Sequence, residues 1–415
     1  MRKAASAERK RYDVAIAGGG IAGRTLALAL AEFAPEGFRL ALVDDDSGQG
    51  GDDDARGLAL SAATKNLLSV LGLWRDLEPK TQPIESIEIT DSALDAALRP
   101  HFLGFEEELR GTGARAHMIE YGELNRTLAA AAAHKPCIAV LAPDTVIGFE
   151  ADAFRAQAHL RSGTSVEAPL VVAADGKRSR VRELAGIKCV GWSYPQLGIA
   201  TTVAHAKPHR GRAVQHFLPS GPFAILPLKG DRSSIVWTEE KAQAQAIKSM
   251  TESDFLDQLT KRFGHRLGEI RLAGPVQSFP LDMQIARSFI ANRLALIGDA
   301  AHVVHPLAGQ GLNIGMRDVA ALAETIVEGL RLGLDIGGAT QLARYERWRR
   351  FDSAFSAAVM DGLNRLFSND SAPLRILRDL GLGLLDRAPP LKRFLAREAA
   401  GRTGTVPHLL SGQRF

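Results

Sequence analysis

This 415-residue chain predicts an α/β fold in which a Rossmann-like domain is interleaved with a mostly antiparallel β-sheet domain and followed by C-terminal helices. Three observations carry that prediction. A strand-like apolar run near the N-terminus ends in glycines and feeds a helical stretch. Two further short motifs, Asp175-Gly176 and Gly298-Asp299, each follow another apolar strand far downstream. Between them lie runs that alternate in the strand manner, separated by Pro and Gly turns.

The first motif is Gly18-Gly19-Gly20-Ile21-Ala22-Gly23, between the strand run Tyr12 to Ala17 and the helical run Thr25 to Ala31. A strand, tight turn and helix start let bare backbone N–H groups meet a pyrophosphate at the positive end of the helix dipole. Gly18 allows the turn, Gly20 the close approach, and Gly23 the seating of helix on strand. An acid is then required at the end of the next strand to accept the adenosine ribose hydroxyls. Leu40 to Val43 is that strand, and Asp44 is the acid.

The third motif selects the dinucleotide. Arg293 to Ile297 reads as a buried strand, Gly298-Asp299 follows, and Pro306 through Asn313 forms a Gly-rich turn, with Gly309 and Gly311, entering another helix. Asp299 suits ribityl hydroxyls, which FAD has and NAD lacks. The N–H groups of Gly311, Leu312 and Asn313 open a helix whose positive end favours an anionic reduced flavin. The nucleotide domain is therefore expected to bind FAD, and in this order of motifs it resembles FAD-binding domains of the glutathione-reductase type. Arg178, Arg180 and Arg182, after Asp175-Gly176, supply charge suited to phosphates.

On these motifs the chain resembles the class A FAD-dependent aromatic hydroxylases of the p-hydroxybenzoate hydroxylase fold. Within them it is most similar to the ubiquinone-biosynthesis hydroxylases of polyprenylated phenols, the UbiH/UbiF/VisC-like group. The matching segments are Arg56 to Ser61, Leu71 to Trp74, Asp175 to Arg182, Gln215 to Pro219 with Gly221-Pro222, Val236 to Thr238, and Gly298 to Asp318. Asp361 to Phe367 and Leu374 to Leu385 resemble the C-terminal helices of the ubiquinone group, so the likeness spans Tyr12 to Gly401. It implies that Arg56 lies near the flavin and pyrophosphate. It also implies that Asp175 and Gly176 serve both FAD and a transient NAD(P)H. The implied reaction is hydroxylation of a prenylated phenol by O2, through NAD(P)H-reduced flavin and its C4a-hydroperoxide, in ubiquinone biosynthesis. Another small phenolic or lipid substrate is the alternative. A non-catalytic flavin-bearing subunit of a quinone-synthesis complex is the alternative of another class. Asp44 stands where Glu is more usual, and Asp44-Asp45-Asp46 with Asp52-Asp53-Asp54 reads as a solvated acidic loop.

A phenol accepts oxygen better when its hydroxyl is hydrogen-bonded or deprotonated. Gln215 and His216 lie on a strand of the expected roof over the flavin, and alternation sends only one of them inward. His302, His305 and Pro306 follow the ribityl aspartate near the ring edge, although a histidine held by backbone is the commoner role. No catalytic base is assigned.

By these signals residues 11–80, 110–185 and 285–335 form the FAD domain, 81–109 and 186–284 the substrate sheet, and 336–415 a helical region. Residues 1–10 read as a disordered basic arm. Phe351, Phe355, Val359, Leu363 and Phe367 fall about one helical turn apart and read as core packing, with a membrane or partner surface the alternative. The balance of 51 Lys and Arg against 47 Asp and Glu, without long basic blocks, does not indicate nucleic-acid binding. Two cysteines cannot make a disulfide framework, and no Cys/His spacing suggests a metal. The apolar stretch Val14 to Ala34 is broken by glycines and Arg24, so a cytoplasmic protein is expected, with peripheral contact at the inner face of the membrane and association with other quinone-biosynthesis proteins as further options.

Overall fold

A computed structural model of the chain describes residues 9–45, 54, 56–91, 101–104, 115–305, 310–367 and 405–415. Val14–Ala17, Leu40–Val43, Leu170–Ala173 and Leu294–Leu296 are strands, buried at every position. They lie in a six-stranded sheet with Ile138–Leu141 at one edge and Ile290–Ala291 at the other. Leu170–Ala173 pairs in parallel with both Val14–Ala17 and Leu294–Leu296. Parallel strands covered on both faces read as unbroken apolar runs, which is why all four were visible in the sequence. The same order gathers the C-terminal ends of these strands at one edge of the sheet. The three glycine motifs begin there, and a parallel α/β sheet binds its ligand in that crevice.

The second sheet has nine strands. Arg212–Leu218, Gly221–Leu228, Arg232–Glu240 and Cys189–His205 run antiparallel in that spatial order, and Ser86–Asp91 joins the first of them in parallel. Two helices interrupt the residues expected to be all sheet: Lys241–Lys248 and Glu252–Phe263. Thr251 caps the second by accepting the Asp254 N–H at 3.2 Å. Its Phe255, Leu259 and Phe263, at i, i+4 and i+8, pack into a core with Phe223 and Trp237. Alternation has period two and is silent on such an insertion.

Other expectations are corrected. Arg9–Arg11 is not a free arm but an edge strand paired in parallel with Ser165–Glu167, held by ladder bonds that need no apolar side chain. Residues 1–8 lie outside the described residues. His302–Val303 pairs with Gln284–Ile285, so the segment after Gly298-Asp299 is bonded to the antiparallel sheet and not to the nucleotide domain alone.

The long helix Ala339–Phe367 follows Gln310–Arg331 and packs on it. Its aromatic stripe is not core packing at the positions described: Phe351 is 78% and Phe355 44% exposed, with their rings stacked at 6.5 Å. The buried face instead carries Tyr345, Arg349 and Ser353, because it meets the buried carboxylate of Asp318. The side chains of Val359, Leu363 and Phe367, and all of residues 374–385, lie outside the described residues. Among the described residues no helix is long and apolar enough to cross a membrane.

Candidate active site

A cleft of about 390 Å³ opens between the two sheets and is lined by Gly20, Arg56, Gly176, Gly298, Asp299 and Gly311, among others. All three glycine motifs thus face one space. The roof sheet contributes Ala200, Gln215, Ala224, Leu226, Val236 and Phe279 to the same cleft.

The first turn is built by close approach. A Cβ on Gly23 would fall 2.0 Å from the Gly18 carbonyl oxygen, so only glycine lets the helix Ile21–Phe33 sit this near the turn. Asp44 lies beneath the turn, where a Cβ on Gly19 would come within 2.0 Å of its Oδ2. At Gly20, by contrast, a Cβ would meet nothing within 4 Å. That opening into the cleft is the room a pyrophosphate needs beside a helix N-terminus. Gly18, Gly23 and Asp44 shape the site from behind, and Gly20 fronts it.

Arg24, in sequence a break in an apolar stretch, has a structural partner. It is buried, and its guanidinium donates to Asp44 Oδ2 at 2.8 Å and to Asn125 Oδ1 at 2.5 Å. Asp44 is therefore not part of a solvated loop. A charge inside an otherwise apolar helix, directly after the last motif glycine, was the available signal. Asp54 departs from that reading as well, because it forms a 2.6 Å ion pair with Arg56. The pair holds the Arg56 guanidinium above its ordinary pKa, and the guanidinium stacks over Tyr121 at 5.0 Å. Asp46, Asp52 and Asp53 lie outside the described residues.

Asp175 is turned toward its own chain. Its Oδ2 accepts the N–H groups of Arg180 (2.8 Å) and Val181 (3.2 Å), so its neighbours Ala174 and Gly176 present the cleft surface. Arg182 is not available to a phosphate: it is buried and donates to the carbonyls of Ala300 (2.9 Å) and Lys177 (3.1 Å). Arg178 and Arg180 are exposed.

Asp299 is exposed, and what it is exposed to is the cleft. Enclosure by protein on its other sides pushes its carboxyl above the usual carboxylate range, while His302, Arg56 and Lys177 pull it back. The turn before it is fixed from below. Asp318 accepts the Gly298 N–H (3.0 Å), His302 Nε2 (2.5 Å) and Arg349 Nε (2.8 Å). His302 is thereby a structural histidine. Asn313 uses its side chain as a lock: Oδ1 accepts from Ser61 N–H (2.9 Å) and Thr64 Oγ1 (2.8 Å), and Nδ2 donates to the Ala59 carbonyl (2.8 Å). Gly311 and Leu312, at the start of that helix, line the cleft. Pro306 and Gly309 lie outside the described residues.

Strand alternation separates the roof candidates. Gln215 faces the cleft, whereas His216 faces the opposite side of the sheet, bonded to Thr90 Oγ1 at 2.5 Å, so His216 is removed from the flavin site. His305 is 1% exposed, and neither ring nitrogen has a partner among the described residues. Burial pushes its pKa down to about 4, which keeps the ring neutral near pH 7. It packs edge-on against Tyr194 at 5.2 Å, whose hydroxyl donates to Asp361 at 2.6 Å.

A Rossmann turn backed by an acid, with a second strand-end acid facing the cleft that this turn opens into, is the arrangement of a flavin-dinucleotide protein. A family model described as FAD binding domain matches residues 11–359, and the chain belongs to that family. It is 43% identical to the ubiquinone hydroxylase UbiL of Rhodospirillum rubrum, over 94% of this chain and 90% of that one. It is 33% identical to 3-demethoxyubiquinol 3-hydroxylase of Escherichia coli, over 94% and 98%. Among solved structures, p-nitrophenol 4-monooxygenase PnpA of Pseudomonas putida matches with a TM-score of 0.78 at 19% identity, over 96% of this chain and all of that one. The last likeness is one of fold: the p-hydroxybenzoate hydroxylase architecture expected from the sequence.

Proposed function

We propose that the protein is an FAD-dependent monooxygenase that hydroxylates the ring of a polyprenylated phenol in ubiquinone biosynthesis, with O2 as co-substrate and NAD(P)H as reductant. One observation carries the reading: the cleft that the glycine motifs line is roofed by Ala200, Ala224, Leu226, Val236 and Phe279, and among the described residues that line it the one amide side chain is Gln215. Bound FAD supplies the oxygen chemistry that side chains lack. In this reading the turn at Gly18, Gly20 and Gly23 holds the pyrophosphate, and Asp44, steadied by Arg24, holds the ribose. Asp299 takes the ribityl chain, and the N–H groups of Gly311 and Leu312 take the pyrimidine edge of the ring. Ala200, Ala224, Leu226 and Val236 exclude water from the reacting face. Gln215 orients the phenol through its hydroxyl. Each methylene of a prenyl chain buried on such a surface contributes about 0.8 kcal/mol.

Asp175 and Gly176 serve the transient reductant in the same reading, and the protein touches the membrane that holds so apolar a substrate. Exposed Phe351 and Phe355 support that contact. The test is turnover by the purified, FAD-loaded protein. A prenylated phenol should stimulate NAD(P)H oxidation and yield a product one oxygen heavier by mass spectrometry. Turnover of short hydrophilic phenols alone would remove the quinone assignment.

A further inference from the structure

A second cavity, of about 810 Å³, lies on the opposite side of the roof sheet from the flavin cleft. The strand Arg212–Leu218 divides the two: Gln215 faces the cleft, while Arg212, Val214 and His216 face this cavity. The reading of the flavin site uses none of its residues.

Its charge is lopsided. Five lysines and arginines line it (Lys207, Arg210, Arg212, Lys261, Arg266) against one carboxylate, Glu88, although the chain as a whole is nearly balanced at 51 to 47. Glu88 accepts from Arg212 at 3.2 Å and Arg266 at 2.7 Å, holding both guanidiniums at the cavity. Lys207 and Arg210 have no carboxylate partner among the described residues. The rest of the lining is mixed: Val214, Ile225, Phe263 and Leu267 supply apolar surface beside Thr90, His216, Thr260 and His265.

The loop that carries Lys207 and Arg210 is held by hydrogen bonds of two histidines. His209 is buried, accepts the Gly211 N–H on Nδ1 at 2.9 Å, and so donates from Nε2 to the Leu228 carbonyl at 2.8 Å. Using both nitrogens fixes its tautomer. Beneath it, His205 bonds the Lys207 carbonyl at 2.8 Å. The Lys207 N–H donates to the Leu267 carbonyl at 2.9 Å, tying this loop to the one bearing Arg266. Arg210, with a left-handed φ of 55°, and Gly211, at 68°, are the two central residues of a turn closed by the Arg212 N–H on the His209 carbonyl at 3.1 Å.

We propose that this cavity is a binding site for a phosphate-bearing ligand with a small apolar or aromatic body, separate from the flavin site. Cations on two tied loops match an oxyanion carrying more than one charge, and the apolar part of the lining takes the body. The phosphate can come from a soluble organic phosphate or from a lipid headgroup.

The test uses FAD-saturated protein, so that the flavin's own pyrophosphate site is filled. Inorganic pyrophosphate and ADP are titrated calorimetrically, and co-sedimentation is measured with phosphatidylcholine vesicles with and without phosphatidylglycerol. Each is repeated with a Lys207→Gln/Arg210→Gln variant, whose two side chains are exposed and outside the cleft. Saturable binding of ADP or pyrophosphate that weakens about tenfold or more in the variant, with FAD content unchanged, supports the site and a soluble ligand. Phosphatidylglycerol-dependent sedimentation lost in the variant, without soluble binding, supports the site and a headgroup. No binding in either arm, or binding that the variant leaves unchanged, overturns the proposal.

Discussion

Replacing His305 with leucine should flatten the acid side of the protein's stability profile. Burial lowers this imidazole from 6.5 to about 4, so the folded state holds it neutral while the unfolded chain protonates it near 6.5. Between those values the unfolded state binds more protons, and stability falls as pH drops through that window. The full shift is worth about 3 kcal/mol, and about 2 kcal/mol of it is already lost at about pH 5. At about pH 7 the proton contributes almost nothing. There the leucine variant loses an edge contact with Tyr194, worth about 1 kcal/mol. It also removes two unpaired polar atoms whose burial costs about as much or more. The variant should therefore match the wild type at neutral pH and exceed it by about 2 kcal/mol at about pH 5. His117, also lowered to about 4, titrates in both proteins and cancels in the difference. Urea midpoints of the FAD-saturated pair, taken across this range, give the answer. A gap that stays constant with pH would refute the argument.

Three further outcomes follow from the cleft. Gly23→Ala drives a methyl into the Gly18 carbonyl, so the helix must shift at a cost of about 1–3 kcal/mol, and flavin absorbance per mole of purified protein should fall. Arg24→Leu leaves Asp44 a buried carboxylate without its cation, a loss of about 3 kcal/mol that should appear as weaker FAD retention on gel filtration. Gln215→Leu should lower product formed per NAD(P)H consumed while leaving FAD content intact, and His216→Leu, behind the sheet, should leave that ratio unchanged.

The parallel half of the fold was legible because its strands are apolar at every position and end in glycines, a pattern few other structures demand. The strand-end positions of Asp44, Gly298 and Asp299 were legible from register alone. Arg24 was not legible in the same way. Its worth lies in a contact with Asp44 and Asn125, the latter 101 residues away, and no local pattern encodes that pairing. The same limit hid the fate of Arg182, which looked like a phosphate ligand and is a clasp on two carbonyls. Alternation said that Gln215 and His216 face opposite ways but not which way, because both faces of this strand look into cavities. Phe351 and Phe355 misled for a related reason. Helical spacing marks a face as apolar but does not say that the core lies beneath it, and here the buried face is the polar one.

That polar face ties the Gly298 turn to the helix Ala339–Phe367. Asp318 receives the Gly298 N–H on Oδ2 and the Arg349 guanidinium on Oδ1, so one buried carboxylate joins the backbone that aims Asp299 to the helix Ala339–Phe367. Two flanking groups keep it ionised: its carboxyl is held below the usual range by His302 and Arg349 against the penalty of full burial. Arg349 in turn reaches Asp352 at 2.5 Å, which also pairs with Arg317 on the preceding helix. A salt network this deep is a poor source of net stability, since desolvating the charges offsets their attraction. Its effect here is positional. The chain of bonds Gly298–Asp318–Arg349–Asp352 fixes the helix Ala339–Phe367 against the turn that precedes Asp299.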